Sequence, residues 1–243
     1  MSAGNAAQAI AFAGRSVGAR VIVVMPKTAP RTKVDATRSH GAEVRFAEDM
    51  TGLLPIVRSL EAEGMRFLHP FDDNAMIAGH GTAALEILED LPETDVIAVG
   101  VGGGGLIAGL AVAATAVRPG VRVVGVEPEG AAAMRAALDA GHPVHLERLS
   151  TIADALAAPF AGDRPFEIVR RLVEDVVVVS DEEILEGVRF LASRARLVAE
   201  PGGAAAVGAL LAGRIRVHPG ERVVAVVSGG NVDMSRLAQI LAS

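Results

Sequence analysis

The sequence predicts an α/β fold of two domains, in which each domain has a twisted, mostly parallel sheet flanked by helices. Short runs of β-branched residues alternate along the chain with longer segments rich in Ala and Leu at helical spacing. Several of the short runs are apolar throughout, as strands are when both faces of their sheet are covered. The 243 residues, of which 51% are apolar and 21% charged, are enough for a sizeable buried core.

Seven runs have the length and composition of strands. They are the segments 21–25, 42–46, 66–71, 96–101, 121–127, 175–180 and 222–228. Helical spacing is clear between them, and one helix start is explicit, because Ser180 and Glu183 form a capping box before an apolar segment. A domain boundary is predicted near residues 70–76, which gives a small domain over 1–73 and a large domain over 74–243.

Charge and composition exclude several classes of function. The net charge of −6 gives no electrostatic footprint for nucleic acid, and no apolar run approaches the roughly 20 residues of a membrane span. The N-terminus lacks the layout of a signal peptide, so a cytoplasmic location is predicted. The chain has no cysteine, which excludes disulfides, thiolate catalysis and Cys-ligated metals.

The strongest local motif is a strand that runs into Gly102–Gly105 and then into a helix. Glycines let backbone N–H groups converge, and a helix N-terminus adds partial positive charge, so the motif predicts a phosphate site. A tight turn without a ligand is the simpler alternative. Read literally, Gly100, Gly102 and Gly105 also match the G-x-G-x-x-G fingerprint of dinucleotide-binding units. Glu127, 22 residues after Gly105, would then hold a ribose hydroxyl, so an NAD-binding oxidoreductase stays open.

Other polar residues stand at turns and helix starts. Ser2 and Asn5 occur at a predicted helix start and could hold an anion or a phenolate-like oxygen, and Glu200 precedes a proline-initiated helix. Ser228 and Asn231 follow the last strand, and the carboxyl ends of parallel strands share one edge of a sheet, where ligands bind. Taken singly, each of these residues is also explained as a helix or turn cap.

In order, the motifs SAGN, GGGGL, VEPEG, EPGGA and SGGN resemble the threonine/serine dehydratase and serine racemase family. These are the fold-type II pyridoxal-phosphate enzymes, with a tryptophan synthase β-like fold, and the resemblance covers nearly the whole chain. It implies pyridoxal 5′-phosphate as cofactor, with its phosphate held by the N–H groups of Gly102, Gly103, Gly104, Gly105 and Leu106. Asn5 would bond the ring hydroxyl, Ser228 the pyridine nitrogen, and Ser2 the substrate carboxylate.

The same resemblance implies an activity. Ser228 offers the ring nitrogen an uncharged hydroxyl, which makes the ring a weaker electron sink and suits β-elimination, in which a departing hydroxyl takes the electrons. The implied reaction is the deamination of threonine or serine to a 2-oxo acid and ammonia, with β-hydroxyaspartate as a further candidate substrate. A homodimer is expected for the full-length protein.

One part of the family pattern is missing. The Schiff-base lysine of the family lies upstream of the SxGN turn, where this chain has only Met1, and the two lysines present, Lys27 and Lys33, are predicted at the surface. We therefore expect an N-terminally truncated chain that lacks the first part of its large domain, exposes apolar surface, holds no cofactor covalently and is inactive alone. The alternative is a non-catalytic homologue, or partner subunit, that binds pyridoxal phosphate without the lysine.

Further departures refine these expectations. Ala6 stands where family members usually have His, and a backbone N–H could still serve the carboxylate. Ala3 stands where racemases place a second serine, which favours elimination over racemisation. Some relatives bind a divalent cation through an acid at the Glu127 position and a second acid six residues on; that second position is Ala133 here, so no metal site is predicted.

Overall fold

The computed structural model describes residues 4–29, 31–49 and 51–242, and it divides the chain into unit 1 (Met1–Pro70) and unit 2 (Phe71–Ser243). The elements of unit 1 are α1 (Asn5–Ser16), β1 (Ile22–Pro26), α2 (Arg31–Ser39), β2 (Glu43–Ala47) and α3 (Leu53–Ala62). Those of unit 2 begin with α4 (Asn74–Asp90), β3 (Val96–Gly100), α5 (Gly105–Val117), β4 (Arg122–Pro128) and α6 (Ala133–Ala140). They continue with α7 (Asp163–Leu172), β5 (Asp175–Val179), α8 (Asp181–Phe190), α9 (Pro201–Leu211), β6 (Val223–Ala225) and α10 (Met234–Ala242).

Unit 1 is built around a two-stranded parallel sheet of β1 and β2, in register from Ile22 opposite Glu43 to Pro26 opposite Ala47. Helices α1 and α2 cover one face, where Ala7 and Ala11 pack against Val23. Helix α3 covers the other face through a cluster that includes Val57. Both faces of the sheet are therefore apolar, which explains why β1 is a continuous apolar run in the sequence.

Unit 2 contains a four-stranded parallel sheet in the order β5-β4-β3-β6. Helices α4 to α7 pack on one face, and α8 and α9 pack on the other. Every residue of β3, which has one neighbouring strand on each side, is buried. The α/β prediction with parallel sheets is confirmed.

The structure corrects the predicted strands at two places. The segment 66–71 is not a strand, since among the described residues it has no strand beside it to complete a ladder. The predicted strand 222–228 pairs with β3 only over Val223–Ala225. The other five strands lie within one residue of their predicted bounds.

Two local predictions about helix starts are confirmed. The backbone N–H of Glu183 donates to the Ser180 hydroxyl at 3.2 Å, and the N–H of Ser180 donates to the Glu183 carboxylate at 2.7 Å, which completes the capping box of α8. Helix α9 begins at Pro201 with Glu200 as its N-cap residue.

Two further expectations concern exposed apolar side chains and membrane-spanning helices. Large apolar side chains with high exposure occur in both units, for example Phe12 at 60% and Met234 at 70%. The attribution of exposed apolar surface to an incomplete large domain stays a prediction. None of the helices in the described ranges is long and apolar enough to cross a membrane.

Candidate functional site

The predicted binding residues of unit 2 gather at one edge of its sheet. All four strands are parallel, so their carboxyl ends lie together. Gly102–Gly105 follow β3, Glu127 stands near the end of β4, and Ser228 follows β6. The ladder connects these strands directly, since β3 pairs with both β4 and β6.

The glycine loop presents a row of backbone N–H groups. The last ladder bond before the loop runs from the Val101 N–H to the Val126 carbonyl, at 2.8 Å. Within the described part of the chain, the N–H groups of the next three residues, Gly102–Gly104, make no hydrogen bond. Gly105 and Leu106 occupy the first turn of α5, where N–H groups have no intrahelical acceptor. Five consecutive donors are thus available beside the positive end of a helix dipole.

Close packing supplies a second reason for the glycines, one that the sequence analysis missed. A Cβ atom at Gly103 would lie 2.3 Å from the Phe71 ring, and one at Gly105 would lie 2.8 Å from the Phe71 backbone. Gly104 has a φ of +93°, and a Cβ there would lie 2.5 Å from the Met134 Cε. No side chain fits at these three positions, so the case for a phosphate depends on the free N–H groups rather than on the glycine count.

Two neighbouring segments, residues 71–72 and 160–164, hold the glycine loop in place through ring packing and hydrogen bonds. The Phe71 ring packs edge-on against Phe160, with ring centroids 5.6 Å apart. The Asp72 carboxylate accepts from the backbone N–H groups of Asp163 and Arg164, both at 3.2 Å. The N–H of Gly162 donates to the Gly103 carbonyl at 3.0 Å, which joins the loop to the same segment.

The glycine loop and the serine loop meet through the start of α9. A Cβ at Gly102 would lie 3.3 Å from the backbone of Leu156, and one at Gly202 would lie 3.0 Å from the neighbouring Ala155. A Cβ at Gly203 would lie 2.4 Å from the carbonyl oxygen of Gly229, the residue after Ser228. Small residues in α9 therefore let its first turn approach both loops.

Ser228 is exposed at this edge, beyond the end of β6. In the described structure its hydroxyl has no hydrogen-bond partner. An uncharged hydroxyl that can donate or accept is thus available on the same side of the sheet as the five N–H donors.

Glu127 has a structural role that the sequence did not reveal. It is fully buried, and its two carboxylate oxygens accept from the N–H groups of Met134 and Arg135, each at 2.8 Å. It caps α6, whose own N-cap residue, Ala132, has no side chain to do so. Burial raises the pKa of Glu127 to about 7, although the backbone hydrogen bonds oppose that shift. A buried carboxylate bonded in this way does not reach a ribose, which removes the main support for the dinucleotide interpretation.

The remaining candidates lie in unit 1. Ser2 lies outside the described residues, and Asn5 is the half-buried first residue of α1. Lys27 follows β1 and pairs with Glu48, and Lys33 lies in α2. Across residues 4–29, 31–49 and 51–242 no cluster of three or more metal-ligating side chains is found.

The residues of unit 2 fit a phosphate-bearing cofactor. A phosphate dianion accepts several hydrogen bonds, and the loop from Gly102 to Leu106 has N–H donors without an acceptor at the start of a helix, without a lysine or arginine. A pyridine nitrogen accepts one hydrogen bond, and the exposed Ser228 hydroxyl is a donor of that kind. The chemistry of this donor set is therefore that predicted for pyridoxal phosphate.

Comparison with known proteins gives consistent results. Residues 1–229 match the pyridoxal-phosphate dependent enzyme family. The L-threonine ammonia-lyase of Thermotoga maritima is 41% identical over 242 residues, and the catabolic L-threonine dehydratase of Escherichia coli K12 is also 41% identical over 242 residues. The solved structure of maize serine racemase matches with a TM-score of 0.92 at 35% identity, over 99% of this chain and 75% of that one.

The matches cover almost all of this chain but only part of the relatives. The chain spans 60% of the T. maritima protein and 74% of the E. coli protein, while 99% and 98% of this chain is matched. The predicted fold type and the predicted cofactor class are confirmed by these likenesses. With a family match over residues 1–229 and this set of donors at the edge of its sheet, the chain belongs to the pyridoxal-phosphate dependent enzymes.

Proposed function

We propose that this chain binds pyridoxal 5′-phosphate and belongs to an ammonia-lyase that deaminates threonine or serine. The observation that carries the proposal is the row of five N–H donors from Gly102 to Leu106 on the same sheet edge as Ser228. Relatives named as threonine ammonia-lyase and threonine dehydratase support the reaction class.

When bound, the cofactor supplies an electron sink for removal of the α-proton and the β-hydroxyl of an amino acid. The N–H groups of Gly102–Gly105 and Leu106 would hold its phosphate dianion. The Ser228 hydroxyl would bond the ring nitrogen, and an uncharged partner at that nitrogen favours elimination over reactions that need a long-lived carbanion. The roles implied for Asn5 and Ser2, the homodimer and the cytoplasmic location stay predictions.

A second candidate function has its own support. The sequence has two lysines: Lys27 follows β1 and is paired with Glu48, and Lys33 lies in α2. A chain that binds pyridoxal phosphate without a covalent bond and without turnover is consistent with this arrangement. We therefore expect the 243 residues to bind the cofactor but to form no 2-oxo acid from threonine.

Equilibrium dialysis of the chain against pyridoxal phosphate tests the proposal. Loss of the Ser228 hydroxyl in Ser228→Ala should weaken binding about fivefold, the equivalent of one neutral hydrogen bond of about 1 kcal/mol. Ser228→Asp should keep binding but shift the absorbance of the bound cofactor, because a carboxylate favours a protonated ring nitrogen. Ser193→Ala, at an exposed serine away from the sheet edge, is the matched control and should leave affinity unchanged.

Three results would count against the proposal. Absence of saturable binding would remove the cofactor assignment, and equal affinity of the native chain and Ser228→Ala would remove the role of Ser228. A borohydride-reducible adduct on Lys27 or Lys33 would show a covalent site and would contradict the non-covalent mode expected here.

A further inference from the structure

Helix α7 takes its N-terminal cap from a distant part of the chain. Its N-cap residue, Gly162, has no side chain, and the first N–H groups of a helix have no intrahelical acceptor. The Asp72 carboxylate fills this role, because its Oδ2 accepts from the Asp163 N–H and its Oδ1 accepts from the Arg164 N–H, both at 3.2 Å. Asp72 precedes Asp163 by 91 positions, so this cap joins two segments that are far apart in the sequence.

Further contacts strengthen the link between Asp72 and the start of α7. The Arg164 guanidinium donates from Nη1 to the carboxylate and to the backbone carbonyl of Asp72, both at 3.3 Å. The Asp72 side chain is only 17% exposed, and hydrogen bonds shielded from water are stronger than those on an open surface. A Cβ atom at Gly162 would lie 2.9 Å from the Asp72 Cβ, so the backbone at 162 packs directly on the Asp72 side chain.

The start of α7 in turn contacts the glycine loop. The Gly162 N–H donates to the Gly103 carbonyl at 3.0 Å. A peptide unit is planar and trans, so the C=O of Gly103 and the N–H of Gly104 lie in one plane and point in opposite directions. The bond from Gly162 therefore sets the direction of the Gly104 N–H, which is one of the five donors. A Cβ at Gly104 would also lie 2.8 Å from the Pro165 Cβ, so α7 packs against the same peptide unit.

The glycines of the loop need contacts of this kind to order their backbone. Glycine populates more backbone conformations than other residues, so consecutive glycines do not fix the directions of their own N–H groups. Phe71 supplies one restraint, since it packs against Gly103 and Gly105. The start of α7 supplies the other. Asp72 joins these two restraints, because it follows Phe71 in the chain and bonds to α7.

We propose that Asp72 is a positioning residue for the phosphate site. It holds the start of α7 against the glycine loop, so that the Gly104 N–H keeps the direction in which it donates to a phosphate. Donors that are ordered before a ligand arrives bind it more tightly, because binding then loses less conformational entropy. The inference rests on the proposed function, since it takes the phosphate of pyridoxal phosphate as the anion. Asp72 acts through α7 and is not itself a ligand of the phosphate.

Asp73, the next residue, offers a matched control. Its carboxylate also accepts from two helix N–H groups, those of Ala75 at 2.7 Å and Met76 at 3.4 Å, but the helix that it caps is its own, α4. Loss of either carboxylate removes one helix cap and lowers stability by a similar amount. Loss of Asp72 also removes the link between α7 and the segment that carries Phe71.

Binding of pyridoxine 5′-phosphate to the full chain tests the proposal. This analogue has an alcohol in place of the aldehyde, so it binds without a covalent bond, and equilibrium dialysis measures its affinity. Asp72→Ala should weaken binding about tenfold, because it removes charge-assisted hydrogen bonds that order the loop. Asp72→Asn keeps one acceptor oxygen and should weaken binding about threefold, whereas Asp73→Ala should change it less than about twofold. Pyridoxine, which lacks the phosphate, should bind the native chain and Asp72→Ala equally well.

Amide NMR of the chain without cofactor measures the loop directly. Asp72→Ala should shift the amide signals of Gly103 and Gly104, because the peptide unit between these residues is no longer held by α7. Asp73→Ala should leave both signals in place, and circular dichroism checks that each variant folds. This measurement needs no ligand, so it separates failure of the positioning role from failure of the proposed function.

Three results would overturn the proposal. These are an unchanged affinity of Asp72→Ala for pyridoxine 5′-phosphate, an equal loss of affinity in Asp73→Ala, and an equal loss for pyridoxine and its phosphate. If Asp72→Ala does not fold, Asp72→Asn decides by the same criteria. If the native chain does not bind pyridoxine 5′-phosphate, the proposed function fails. An unchanged Gly104 signal in Asp72→Ala would then overturn the positioning role as well, whereas a shifted signal would support it.

Discussion

The two sheets differ in how completely their strands are buried. In unit 2, β3 has a strand on each side and all five of its residues are buried, whereas β6 at the sheet edge is only half-buried. In unit 1, β1 has one partner strand among the described residues, and a cavity of about 130 Å³ lies beside it. The centre of β1 is nevertheless buried, since Val23, Val24 and Met25 are at most 5% exposed, so helices on both faces can bury a strand that has a partner on one side only.

Leucine truncation in each unit tests this difference most strongly. Leu110→Ala in α5 removes a fully buried side chain from the dense core of unit 2 and should cost about 4 kcal/mol. Leu60→Ala in α3 enlarges an existing cavity in unit 1 and should cost only about 2 kcal/mol. Urea unfolding followed by circular dichroism, with amide exchange to assign each unit, measures both. An equal or larger cost for Leu60→Ala would mean that unit 1 is packed as tightly as unit 2.

The carboxylates of the two units should respond oppositely to pH. In unit 1, hydrogen bonds from Arg20 and Arg45 lower the pKa of the exposed Glu43, so its contribution is lost only as the pH falls into the acid range. In unit 2, burial raises the pKa of Glu127 to about 7, so the folded chain holds a proton that the unfolded chain releases. The stability due to Glu127 is fully present below its unfolded pKa and is lost as the pH rises through 7.

Glu127→Gln should therefore flatten the pH dependence of stability. The difference in unfolding free energy between the native chain and Glu127→Gln should shift by about 3 kcal/mol between pH 5 and pH 8, in favour of the variant. At pH 5 the variant should be the less stable, since a carboxamide cannot accept from both α6 N–H groups. Glu129→Gln, at an exposed neighbour, is the control, and parallel pH profiles for native chain and Glu127→Gln would contradict the assignment.

Helix capping gives the smallest expected effect. Helix α8 of unit 2 has a complete capping box, whereas α1 of unit 1 has Gly4 as its N-cap residue, without a side-chain cap. Ser180→Ala should lower the unfolding free energy by about 1 kcal/mol, because it leaves the Glu183 N–H without its acceptor. Thermal unfolding against Ser193→Ala as control measures this, and a change no larger than that of the control would show that the box adds nothing.

The sequence predicted what depends on local pattern. The apolar runs that became β3, β4 and β5 were located within one residue, and the capping box at Ser180 was read from two residues. Segment 66–71 has the composition of a strand, but pairing depends on a neighbour that composition does not reveal. The burial of Glu127 depends on where α6 begins relative to β4, and the contact of Gly103 with Phe71 joins residues 32 apart; neither leaves a local signal. The free N–H groups of the glycine loop, in contrast, followed from its strand-to-helix context.

Phe71, which packs against the glycine loop, is a position at which the loop could be altered without changing the loop itself. The Phe71 ring packs against Gly103 and the Phe71 backbone packs against Gly105, so Phe71 fixes the position of the loop. The neighbouring Asp72 is itself held in place, because its carboxylate accepts from the N–H groups of Asp163 and Arg164. A residue of a different size at position 71 would shift the backbone N–H groups of the loop without any change among the glycines. The backbone positions of the glycine loop are therefore set partly by a phenyl ring that lies outside the loop.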